Sequence, residues 1–102
     1  MIYVIAAIEV AQGQREAFLA EFRQVVPLVR AEAGCLEYAP ALDLRTDLPA
    51  QVPAGEDVVV VVEKWQSLEA LRAHLQAPHM TEYRARVKQL VVGARLQILQ
   101  PG

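Results

Sequence analysis

Two histidines, two aromatic rings and one carboxylate at the end of an apolar run are the side chains here whose types and spacing could do chemistry. Glu63 and Trp65 stand two apart, directly after five consecutive valines, so in a regular strand they share one face with Val59 and Val61. A bare carboxylate at the end of such a row costs on the order of several kcal/mol, so Glu63 must find a donor or hold a proton. It is either an edge residue wetted by solvent or tied to an arginine, or a pocket-lining group that orients a histidine. His74 lies three residues after Leu71 on a short helical pattern, beside its apolar stripe, and His79 follows Pro78 at the start of the next helical segment. Either imidazole suits a proton acceptor near neutral pH, and either suits a satisfied structural role.

The five-residue spacing of His74 and His79, with Pro78 between them, is not the i, i+4 pattern of a helical metal pair. No cluster of Cys, Asp or Glu completes a site, so no metal is expected. Trp65 and Tyr38 either pack in the core or floor a pocket for an aromatic molecule. Tyr83, at helical spacing, reads as core. Cys35 is the only cysteine; it reads as a small buried hydrophobe and excludes an internal disulfide. There is no nucleophile elbow, phosphate-binding loop or dinucleotide fingerprint.

These groups need a scaffold. Val58 to Val62 are β-branched residues that make a good strand and a poor helix. Val58, Val60 and Val62 face one side and Val59 and Val61 the other, so both faces must be shielded from water. A chain of 102 residues has helix enough to cover one face of a small sheet and hardly enough for two. A second copy of the chain is the simplest cover for the other.

The remaining pattern agrees. Residues 2–10 read as a strand, and Phe18, Phe22, Val25 and Val29 mark one helical stripe. Pro27 within it should kink or divide the helix, and Gly34 ends it. A second strand runs from Cys35 to about Arg45. The stretch Thr46 to Asp57, with Pro49, Pro53 and Gly55, is a long loop, either a lid or partner contact or a tolerated insertion. Ser67 caps a short helix marked by Leu68, Leu71 and Leu75. Met80, Tyr83, Val87 and Leu90 or Val91 mark another, ended by Gly93, and Ala94 to Leu99 form a last strand. The order β-α-β-β-α-β is an α+β, ferredoxin-like split βαβ plan: one domain over 1–102, with a four-stranded antiparallel sheet and helices on one face.

Composition narrows the partners. At 54% hydrophobic and 22% charged the chain is a folded globular domain rather than a disordered one. A formal charge of −2 gives no reason to seek nucleic acid or an anionic membrane. The basic residues near the C-terminus read as a solvated face. No apolar run approaches the ~20 residues of a membrane span, and the first residues read as a strand rather than a signal peptide. A cytoplasmic protein is expected.

Three stretches carry a resemblance to a known family: Glu32-Ala33-Gly34-Cys35-Leu36-Glu37-Tyr38, Glu63-Lys64-Trp65, and Ser67 to Leu75 with His74, followed by His79. Together they resemble the antibiotic biosynthesis monooxygenase family, which includes small quinol monooxygenases, over nearly the whole chain. The resemblance implies a dimeric α/β-barrel, a homodimer packed through its sheet faces. It also implies oxidation of a hydroxylated aromatic, of quinol or anthrone type, by O₂ to a quinone without metal, flavin, haem or other cofactor. On matched positions it implies His74 as base or hydrogen-bond partner, Glu63 orienting a histidine, and Trp65, Tyr38 and His79 lining or supporting the substrate pocket. Valines stand where the family strand usually carries an aromatic or a leucine, which implies a wider pocket. Ala6, Ala7 and Ile8 occupy the place where related haem-degrading folds use an asparagine, which argues against haem chemistry. Two other functions fit the same scaffold: a non-catalytic small-molecule binding module, and a structural dimerisation domain.

Overall fold

A computed structural model describes all 102 residues. Its elements run β1 (Ile2–Val10), α1 (Arg15–Arg30), β2 (Cys35–Ala41), β3 (Val58–Trp65), α2 (Leu68–Leu75), α3 (Pro78–Val87) and β4 (Val91–Leu99). The strands form one antiparallel sheet in the order β2-β3-β1-β4, which is the expected α+β, ferredoxin-like plan. Alternation in β3 is strict. Val59, Val61, Glu63 and Trp65 are buried under the helices, while Val58, Val60, Val62 and Lys64 are half-buried on the outer face.

The core sits between the inner sheet face and α1, which buries Phe18, Leu19, Phe22, Val25, Val26 and Val29. This helix runs unbroken through Pro27, so of the two outcomes expected there, a kink or a division, the division does not occur. Pro27 lies in the last turn, so only the carbonyl one turn earlier, at exposed Arg23, loses its partner, and water can reach it. On α2 the buried positions are Leu71 and His74, whereas Leu68 and Leu75 are 40% and 43% exposed. The inward stripe is thus rotated from the expected leucine row toward the histidine. Ser67 caps α2 as expected, its Oγ accepting the Ala70 N–H at 3.1 Å.

Two boundaries differ from the sequence reading. β2 stops at Ala41, and β4 starts at Val91 rather than after Gly93. In β4, Val91 pairs with Val10 and Gly93 with Glu9 across a register shift in β1, so the glycine is taken into the ladder at an irregularity instead of ending a helix. The 42–57 loop is tied to itself: the Asp43 carboxylate accepts the N–H groups of Ala54 at 2.9 Å and Gly55 at 3.0 Å. It presents Leu44, Leu48 and Val52 to solvent.

Two packing facts position the site. First, α1 covers β2 and β3, while α3 packs chiefly against α1. The inner face of β4 is therefore left open, with Leu96 and Ile98 more than half exposed. Second, Gly34 has φ +84°, and a Cβ there would meet the Ala70 Cβ at 2.6 Å. Only glycine both adopts that turn and lets α2 come so close to the end of α1.

Candidate active site

The turn at Gly34 brings Glu32 against α2 and α3. The backbone of Glu32 is held on both sides, its N–H donating to Val29 O at 2.9 Å and its carbonyl accepting from Cys35 N at 3.2 Å. Its carboxylate meets both histidines. His74 Nδ1 lies 2.9 Å from Glu32 Oε2 and 3.2 Å from Oε1, and His79 Nε2 lies 2.7 Å from the same Oε2. A carboxylate accepts, so these two ring nitrogens carry the hydrogens. Neutral His74 is thereby held as the Nδ1–H tautomer with its lone pair on Nε2.

The His74 ring is fixed on its flanks as well. It lies 4.6 Å from the Trp65 ring at 35° and 5.3 Å from the Tyr38 ring at 64°, centroid to centroid, and it is 2% exposed. Burial lowers its pKa from the usual histidine range, against the upward pull of Glu32. The resting imidazole is therefore neutral at physiological pH and able to accept a proton.

Beside it opens a cavity of about 430 Å³ between the inner sheet face and α3, with 12 of its 16 lining residues hydrophobic. The volume suits a small organic ligand of a few rings. His74, Glu63 and Tyr38 all stand on its wall. No buried side-chain nitrogen or oxygen in the chain lacks a hydrogen-bond partner, yet His74 Nε2, Glu63 Oε2 and the Tyr38 hydroxyl make no hydrogen bond within the protein. Each of these atoms therefore reaches open space. Three polar atoms converge on a mostly apolar chamber, whose wall also includes Arg84 and Lys88.

Glu63 is not the group that orients a histidine, as the sequence reading expected. Its Oε1 accepts the Trp65 indole N–H at 2.9 Å, and Glu32 does the orienting. The reason is strand geometry: Glu63 and Trp65 point the same way from one strand, within reach of each other. Burial, followed by the negative charge of Glu32, pushes the Glu63 carboxyl up to about 7 despite the indole hydrogen bond. The Tyr38 hydroxyl is pushed well above its usual value by burial, so it stays protonated.

Two more sequence-chosen residues, expected to line or support the pocket, stand behind its wall rather than on it. Trp65 is 0% exposed and lies behind His74 and Glu63, off the cavity wall. His79 is also off the wall and braces Glu32 from the solvent side. No residue of the 42–57 loop lines the chamber. No three His, Cys, Asp or Glu side chains are placed to share a metal ion, and no helix is long and apolar enough to cross a membrane.

The fold and chamber define a small α+β protein that holds a carboxylate-tethered histidine against an apolar cavity. Residues 1–86 match the antibiotic biosynthesis monooxygenase family, and the chain belongs to it. It is 43% identical over 104 residues to the "Probable quinol monooxygenase YgiN" of Escherichia coli K12, covering 100% of this chain and 99% of that one. Among solved structures it superposes on PA3566 from Pseudomonas aeruginosa with a TM-score of 0.81 at 27% identity, covering 99% and 93% of the two chains. Rv0793 from Mycobacterium tuberculosis gives 0.79 at 27% identity over 99% and 94%.

A carboxyl raised from 4.5 to about 7 binds its proton more tightly folded than unfolded. Its contribution to stability is complete below pH 4.5 and is lost as pH rises toward 7, an effect of at most about 3 kcal/mol. Glu63→Gln keeps the acceptor for Trp65 and removes the titration. Denaturant unfolding across pH 4.5 to 8 should show the variant gaining stability relative to the parent as pH rises; a difference that stays flat contradicts the buried titrating carboxyl.

Proposed function

We propose that this chain is a monooxygenase that oxidises a hydroxylated aromatic, of quinol or anthrone type, with O₂ to a quinone, without a metal, flavin or haem. The observation that carries the reading is the Glu32–His74 pairing, which leaves one basic nitrogen facing an apolar chamber. His74 Nε2 accepts the proton of the substrate hydroxyl, or of the enol of an anthrone. The anion formed is electron-rich enough to pass one electron to O₂, and the aryloxyl radical and superoxide then combine in a C–O bond. The peroxide anion takes the proton back from His74. Loss of water, with cleavage of the O–O bond and departure of the hydrogen on that carbon, leaves the new carbonyl. One oxygen atom enters the product and the other becomes water, so no outside reductant is consumed.

Each part of the site serves a step. Glu32 stabilises the imidazolium while it exists, as a carboxylate does for a catalytic histidine generally, and the face of Trp65 favours the same cation. Glu63 Oε2 and the Tyr38 hydroxyl bond the oxygens of the ring. The apolar wall excludes water that would otherwise solvate the anion and quench the radical pair. His79 is a positioning residue that keeps Glu32 turned toward His74.

The dimer belongs to the same proposal. The outer face of the sheet carries Ile5 opposite Val62 and Ala7 opposite Val60, half-buried with no helix over them. An apolar sheet face of this kind is an association surface, and a second copy packed on it supplies the missing layer.

Oxygen uptake with a panel of quinols and anthrones, under chelation, should show turnover with quinone as product. His74→Ala should lower kcat by about 100-fold or more. Glu32→Gln should lower kcat and move the acidic limb of the pH profile to lower pH, because the carboxylate is what holds the His74 pKa up. Full activity in His74→Ala, or an unmoved limb in Glu32→Gln, contradicts the assignment. Sedimentation should give a dimer at micromolar concentration that Val60→Glu splits; a parent that sediments as a stable monomer contradicts the sheet-to-sheet association.

A further inference from the structure

The chamber carries a second set of charges that the oxidation leaves unused. Arg84 and Lys88 both stand on its wall, four residues apart and so on one side of α3 and its continuation. Both are exposed, and neither is paired with an acid. Arg86, between them, is the contrast: it turns toward α1 and donates to Glu21 Oε2 at 2.9 Å. Arg84 is anchored at the rim by one bond, Nη2 to Leu75 O at 2.8 Å, which leaves its other N–H groups unused. Cations near a helix C-terminus offset the partial negative charge there. That explains their sign, but not their place on the wall of a cavity whose only acid is Glu63. The chain as a whole carries −2, so the positive rim is a local feature.

Lys88 lies at the opposite end of the chamber axis from His74, while Arg84, bonded to the carbonyl of Leu75 beside His74, stands between the two ends. His79, at the start of α3, touches Glu32 beside His74, and Lys88 directly follows the helix. Nine residues at 1.5 Å each separate them by about 13 Å. The sheet floor has the same measure. Glu63 stands opposite Val4, and Ile8 is four residues further along β1, opposite Ala94; four residues of strand span about 13 Å. An apolar floor of Ala6, Val61 and Ile8 connects the acid–base end to the cationic end.

We propose that the chamber takes an elongated, fused-ring hydroxylated aromatic that carries an anionic substituent, with the reacting ring at His74 and Glu63, the anion held by Lys88 at the far end, and Arg84 along the way between them. This rests on the oxidation proposed above and adds the class of substrate. A neutral quinol fills the apolar floor and leaves both cations bare. A carboxylate or sulfonate on a distal ring pairs with Lys88 at an exposed rim, an attraction that salt screens.

The test compares an anthrone bearing a carboxylate on an outer ring with the same anthrone bearing a methyl group there. At low salt the carboxylate compound should have a kcat/KM about fivefold higher, and high salt should erase the advantage. Lys88→Glu should lower the carboxylate-to-methyl ratio of kcat/KM by about tenfold or more, since it replaces attraction with repulsion. A second arm needs no turnover: binding of anthraquinone-2-sulfonate and 2-methylanthraquinone, followed by Trp65 fluorescence. If neither anthrone is oxidised yet the sulfonate binds more tightly in a Lys88-dependent way, the oxidation falls and the anion site stands. If both anthrones are oxidised with equal kcat/KM, or the ratio is unmoved by Lys88→Glu, the anion site falls and the oxidation stands.

Discussion

The contact between the Glu32 carboxylate and the Nδ1 edge of His74 is the interaction on which the site depends. A histidine on the inner face of α2 is otherwise a buried polar group in need of a partner. Glu32 supplies that partner and, in doing so, decides which nitrogen is left to act. With His79 included, three separate pieces of chain meet within hydrogen-bond distance: the turn after α1, the last turn of α2 and the start of α3. Gly34 makes that approach sterically possible. Trp65 and Tyr38 then hold the ring between them, so the base is restrained both at its edge and at its flanks.

The chamber follows from how the helices divide the sheet. α1 seals β2 and β3 with a continuous apolar stripe, but α3 leans on α1 and leaves the β1–β4 side of the inner face uncovered. At its edge Val61 of β3 and Ala6 of β1 supply short side chains, which leave space that longer ones would fill. The valine row of β3, read on its other face, supplies the half-buried surface proposed to meet a second copy. One strand thus serves two opposed needs, a closed layer outside and an open one inside.

Much of this was legible in the chain. Periodicity and turn residues located every helix and strand, and the alternation in the valine run put Glu63 and Trp65 on one face with Val59 and Val61. The family pattern picked out His74 and Tyr38, which do stand on the cavity wall. The partner of the histidines was harder to read. Glu32 lies 42 residues from His74, in a turn where an acid ordinarily reads as solvated. The usable signal was its place two residues before a glycine at a helix end, inside a motif that had no assigned role for it. Glu63 was credited with that task because a carboxylate at the end of an apolar row needs a donor; strand geometry gives it the Trp65 indole instead. Trp65 read equally as core or as pocket floor, and its full burial behind His74 depends on packing that no local spacing encodes. The start of β4 was missed because a glycine ordinarily ends a helix, and the register shift that admits it to the ladder is a property of β1 as well.

The central claim is that Glu32 holds His74 as the neutral Nδ1–H tautomer, with Nε2 open to the chamber. A long-range ¹H–¹⁵N NMR spectrum of the ¹⁵N-labelled histidine side chains at neutral pH, assigned with the His79→Asn variant, reads this directly. The account requires His74 Nε2 to resonate as an unprotonated, pyridine-like nitrogen and Nδ1 as a protonated one. A proton on Nε2 at that pH, whether in the other tautomer or in the imidazolium, would contradict it.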